Sequence, residues 1–158
     1  MNMDVIFTPV IGEIVKALVG KGASAIEDNE QVTTLRMLLR ERLRREVRFN
    51  NELLSDNQLD LSIRIYKLEI DALEYVCTQA LPLETLFNGE LDDNRVRFFA
   101  GDNGSHRMHM AMLSTEAQLI ERLLHRIKLA KLRVEEGVRP GDVSYLKKLM
   151  RALQSTLL

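Results

Sequence analysis

The chain has 158 residues, the length of one ordinary domain, and its 46% hydrophobic and 28% charged residues exclude disordered, collagen-like and low-complexity classes. Its 22 basic and 23 acidic side chains leave a formal charge of −1, so no overall field draws it to nucleic acid or to an anionic membrane. One cysteine, Cys77, excludes an intramolecular disulfide and, with no secretory leader pattern, points to a reduced, cytoplasmic protein.

Residues 1–22 read as a docking helix. Val5, Ile6, Phe7, Val10, Ile11, Ile14, Val15, Leu18 and Val19 crowd together, but Pro9, Glu13 and Lys16 interrupt a run already too short for a membrane span of roughly 20 apolar residues. Thr8 before Pro9 predicts an N-cap followed by proline at the first helical position, and Gly20 and Gly22 predict the stop. Ile11, Ile14 and Leu18 are its candidate contacts, on the core or on a sister subunit; a helix lying on a membrane surface is the rival.

Ser24 and Glu27 have capping-box spacing and predict a helix from about Ala25 to Leu54, the first arm of a long helical hairpin over 24–87. Its apolar stripe is Leu35, Leu39, Leu43, Val47 and Leu54. Arg42, Glu46 and Asn50 interrupt that stripe at four-residue steps, which predicts an Arg42 to Glu46 pair, a row exposed beside the core, or a polar pocket. Six arginines fall between Arg36 and Arg48, offset only by Glu41 and Glu46. Arg36, Arg40, Arg44, Arg45 and Arg48 therefore form a candidate anion or nucleic-acid surface, although no aromatic residues are interleaved for base stacking.

The second arm, about 55–81, reads as one central helix. Leu59, Ile63, Tyr66, Ile70, Leu73 and Cys77 fall on one face and Leu61, Ile65, Leu68, Ala72 and Val76 on nearly the opposite one, so neighbours are expected on both sides. Ser55 with Gln58, and Leu54 with Leu59, have the spacing of a capping box and a hydrophobic staple; Pro82 ends or kinks the helix. Cys77 on such a face reads as an inert core thiol. From Asn50 to Asp93 the local net charge is −8, against +4 for Leu35 to Phe49 and +4 for residues 114–158, which predicts charge pairing within a subunit or across a symmetric interface.

Residues 88–113 read as an excursion, with a loop or small β-hairpin at about 94–113. Arg95 to Ala100 alternates loosely, Asp102, Asn103 and Gly104 signal a turn, and Met108, Met110 and Met112 alternate beyond it. Phe98, Phe99 and these methionines are adaptable contact residues if exposed. His106 and His109, with Asp102 nearby, are the remote candidates for a metal site and a metal-dependent hydrolase, on a spacing that matches no established ligand motif.

The C-terminal hairpin, 114–158, begins at Thr115 and Gln118. Leu119, Leu123, Ile127, Ala130 and Val134 make a core stripe up to Gly137, leaving Leu129 and Leu132 outside it as candidate contacts for a second molecule. Asp142 is the N-cap expected for a last helix that turns Leu146, Leu149, Met150, Leu153 and Leu157 inward, antiparallel to its predecessor.

The whole reads as a single all-α domain, a bundle of about five helices around the helix at 55–81. No phosphate-binding glycine loop, nucleophile elbow, kinase signature or zinc-finger spacing appears. The run LLRERLRREVRFNNELL followed by IYKLEIDALEYV resembles small, mostly helical bacterial proteins of uncharacterised role, some encoded beside anti-phage defence genes. Many of those carry an N-terminal membrane helix, which this chain lacks in convincing form. The resemblance implies no catalytic residues and a role exercised through a partner. The expectation is a non-enzymatic protein-interaction module without cofactor or membrane attachment, acting as a homo-oligomer or an accessory subunit; nucleic-acid binding is the alternative.

Overall fold

A computed structural model describes residues 3–21 and 29–158, with side chains from residue 9 onward in its first helix. Among the described residues every named element is a helix, and the sole β contact is an isolated antiparallel bridge between Glu90 and Thr115. The helices in order are α1 (Met3–Leu18), α2 (Glu30–Ser55), α3 (Leu61–Tyr66), α4 (Asp71–Thr78), α5 (Leu83–Leu86), α6 (Asp93–Ala100), α7 (Gly104–Ala111), α8 (Glu116–Glu135) and α9 (Val143–Thr156).

The hub is α2, which packs against α1, α3, α4, α5 and α9. The apolar stripe read from its sequence, Leu35, Leu39, Leu43, Val47 and Leu54, is the buried one, and Val32 extends it. Asn29 caps the helix by accepting the Gln31 amide at 2.8 Å. The start expected near Ser24, Ala25 and Glu27, like Gly22, falls outside the described residues. Helix α1 begins at Met3 and carries Pro9 inside it, so the expected N-cap at Thr8 is not used; the proline, which has no N–H to give, leaves one turn short of a hydrogen bond without ending the helix. Gly20, at φ +90°, follows its C-terminus.

The expected central helix at 55–81 is two helices, α3 and α4, separated at Lys67 to Ile70. The polar row on α2 explains the break. Glu46 is buried and accepts the amides of Ala72 and Leu73 at 2.5 and 3.1 Å, closing the N-terminus of α4 from another helix. Asn50, fully buried, donates to the Glu69 carbonyl at 2.7 Å and accepts the Glu69 amide at 2.9 Å. From the other side Lys131 on α8 donates to the carbonyls of Tyr66 and Leu68 at 2.5 and 2.8 Å, a cation at the C-terminus of α3. Side chains of α2 and α8 thus take up the Tyr66, Leu68 and Glu69 carbonyls and the Glu69, Ala72 and Leu73 amides, which is what makes a buried break tolerable. The expected Arg42 to Glu46 pair is therefore not formed; Arg42 lies over the Tyr75 ring, 5.8 Å from its centroid.

The break also changes which faces are covered. Ile65, Leu68, Ala72 and Val76 are buried and Leu61 half-buried, whereas Leu59, Ile63 and Tyr66 are exposed; Leu73, beyond the joint, is buried again. The capping box at Ser55 is also absent, because Ser55 ends α2 and the Gln58 amide is taken by the Asp56 carboxylate.

In place of a loop or β-hairpin at 94–113 stand α6 and α7, packed on each other, with α6 against α9. Their buried residues are Val96 with Ala100, and His106 with Met110, four apart as a helix requires. Asp92 caps α6, Asn103 caps α7, and Gly101 at φ +66° separates them. Helices α8 and α9 match expectation in extent and in buried stripe, save that Val134 is only half-buried, with Thr115 and Asp142 as N-caps and Gly137 at φ +72° as the stop. They run antiparallel, since Arg133 reaches Pro140 at the shared end and Arg40 bonds both Glu116 at the start of α8 and Thr156 at the end of α9.

Candidate functional site

The arginines of α2 are largely consumed within the chain. Arg36 donates through Nε and Nη2 to the Thr85 carbonyl at 2.9 and 2.6 Å. Arg40 makes a two-pronged bond to Glu116 at 2.9 and 3.1 Å and a third to the Thr156 carbonyl at 3.2 Å, tying α2 to the start of α8 and the end of α9. Arg44 and Arg45 both pair with Glu41, whose carboxyl is held below the usual range chiefly by the Arg44 hydrogen bond. Arg48 is exposed. The arrangement leaves Arg45 and Arg48 as the exposed members of the proposed phosphate-binding set.

None of these arginines pairs with a carboxylate of the acidic segment 50–93. Among the described residues the one ion pair into that segment comes from α8, Lys128 to Glu74 at 2.8 Å, so the expected pairing of the arginine helix with the acidic arm is not the one that forms there.

His106 is buried, and both its ring nitrogens are engaged. Lys148 on α9 donates to Nδ1 at 2.7 Å, which places the neutral ring's proton on Nε2, bonded to Asp142 at 2.6 Å. Partial burial pushes the Asp142 carboxyl up, but the bonds from His106 and the Tyr145 amide, with the Lys148 charge, outweigh it and hold the group below the usual range. The rings of His106 and His109 lie 5.2 and 5.9 Å from that of Tyr145, whose hydroxyl accepts from Arg122 at 3.1 Å and whose face carries Arg126. A metal at His106 would have to displace Asp142 or Lys148. Among the described residues no three histidine, cysteine, aspartate or glutamate side chains converge to hold an ion. The cluster is a fastening between α7 and α9, and Asp142, Tyr145 and Lys148 are members that the sequence reading did not assign to His106.

The remaining candidates are apolar. Ile11 and Leu18 are buried inside this chain and Ile14 is half-buried, so α1 docks on its own core. Leu129 is half-buried and Leu132 exposed. The more prominent surface is on α6 and α7, where Phe98 is 79%, Met112 68% and Met108 60% exposed while Phe99 and Met110 turn inward. Met37 and Phe49 on the outer side of α2 are also exposed, a feature the sequence reading passed over. Cys77 is half-buried, and burial, with Glu121 and Glu74 nearby, pushes its thiol up to about 11.

No helix among the described residues is long and apolar enough to cross a membrane. Comparison with known proteins returns no matching family, no matching curated protein and no matching solved structure.

Proposed function

We propose that the chain is a non-enzymatic helical module that works by association, as a self-associating protein or as an accessory subunit of a larger complex. The observation that carries this reading is the exposure of Phe98, Met108 and Met112 on α6 and α7. Each such side chain gains roughly 1.5–3 kcal/mol when a partner removes it from water. The helix pair that bears them is fastened to the body through His106, Asp142 and Lys148, which supplies a rigid platform. Leu132 adds a second exposed apolar contact on α8. The half-buried single thiol supports a cytoplasmic setting, and the family resemblance directs the search for a larger partner to anti-phage defence complexes.

Light scattering on the pure protein, with capture from cell extract, tests the reading. A partner retained by the wild type and lost in Phe98→Glu with Met112→Glu, at unchanged melting temperature, supports it. A strict monomer that captures nothing overturns it. The nucleic-acid alternative rests on Arg45 and Arg48 alone, and DNA or RNA binding at low salt that falls steeply as salt is added would favour it instead.

A further inference from the structure

Helix α2 carries Met37, Glu41, Arg45 and Phe49 at successive four-residue steps on its outer side. Met37 is 63% and Phe49 42% exposed, and the Glu41 and Arg45 side chains are 39% and 46% exposed, so neither α1 nor α9 covers the row. A row at four-residue steps is a ridge inclined to its helix axis by about 26°, and two helices crossing at about −50° bring such ridges parallel. In one direction the row runs apolar, acidic, basic, apolar. Read in the opposite direction it runs apolar, basic, acidic, apolar, which is its own complement.

We propose that this row is a two-fold interface that takes a second copy of the chain, the two α2 helices lying antiparallel about residue 43. Met37 then meets Phe49 of the second copy and Glu41 meets Arg45, and each contact occurs twice, as an isologous interface demands. Arg44 and Arg45 already bond Glu41 of their own helix, Arg45 at 3.1 Å, so assembly sets each Arg45 between two carboxylates and keeps the existing pairs. The apolar ends supply burial; the charged centre fixes direction, since a parallel pairing sets Glu41 against Glu41 and Arg45 against Arg45. The inference rests on the association reading above and names the occupant of a different surface from α6 and α7.

Charge reversal with rescue tests it. The wild type is expected at twice its 18.1 kDa mass in light scattering. Glu41→Arg faces Arg45 of the mate with a like charge and weakens the dimer by about tenfold or more. Glu41→Arg with Arg45→Glu restores complementarity and returns the dimer. Unchanged melting temperatures in both variants show that the fold is intact. A dimer indifferent to Glu41→Arg overturns this interface and leaves association through another surface standing. A monomeric wild type that still captures a protein through Phe98 and Met112 overturns the inference and not the broader reading.

Discussion

Glu46 and Ala72 belong to different helices, yet the carboxylate of one accepts the amide of the other at 2.5 Å and so ends the break between α3 and α4. The second oxygen accepts the Leu73 amide at 3.1 Å. Burial pushes this carboxyl up to about 7, against the pull of the two amide donors and with Asp71 and Glu69 adding to the rise.

That shift has a definite sign. The folded chain holds a proton that the unfolded chain, with its carboxyl at the ordinary 4.5, has already released in the window up to about pH 7. The contribution of Glu46 to stability is therefore greatest below the window and declines as pH rises through it, by up to about 3 kcal/mol. Glu46→Gln carries no such titration and turns an amide N–H₂ toward a backbone donor, which costs about 1–3 kcal/mol at pH 5. Urea unfolding of both proteins at pH 5 and pH 8 should show the gap narrowing with pH; a widening gap contradicts the assignment.

Two glycines should answer oppositely to alanine. A methyl at Gly89 would lie 2.6 Å from the Glu116 carboxyl carbon and under 3 Å from both oxygens, and Arg40 holds that carboxylate in place. Gly89→Ala is expected to cost about 1–3 kcal/mol. Gly12, inside α1, has nothing within 4 Å of the added carbon. Gly12→Ala should gain roughly 0.5–1 kcal/mol from helix propensity, and thermal melts of the two variants displaced in the same direction would refute the contrast.

Cys77 should react slowly. With its thiol at about 11, the thiolate fraction at pH 8 is roughly a hundredth or less of that in a free cysteine. Iodoacetamide labelling of the native protein is expected to lag a cysteine peptide by at least that ratio and to catch up in urea. Rapid labelling of the folded chain would show that the thiol is accessible and ionised.

The sequence made the helical class and the last two helices legible because their signals are local. Thr115, Gly137 and Asp142 mark boundaries within one turn of where they act. The break at Lys67 to Ile70 was not legible, because no glycine or proline lies there and the residues that impose it, Glu46, Asn50 and Lys131, are on other helices. Its trace in the sequence is the polar row on α2, in which Glu46 and Asn50 take backbone groups at the joint and not side chains of their own helix. At 94–113 the alternating methionines imitated a strand. Met108 and Met112 flank the buried Met110, a pattern that a single buried helical position produces just as well. His106 stands out in the sequence, but Lys148 and Asp142, which occupy its nitrogens, lie some forty residues away in the chain.

The joint between α3 and α4 depends on chain that is synthesised both before and after it. Its carbonyls at Tyr66 and Leu68 are bound from Lys131, 65 and 63 residues downstream, and its amides at Ala72 and Leu73 from Glu46, 26 and 27 residues upstream. A nascent chain ending before α8 has the upstream clasp and no downstream one, so this elbow sets only once the ribosome has delivered Lys131. Until then Tyr66 and Leu68 must share their lone pairs with water, and the bent middle of the molecule waits on the arrival of α8.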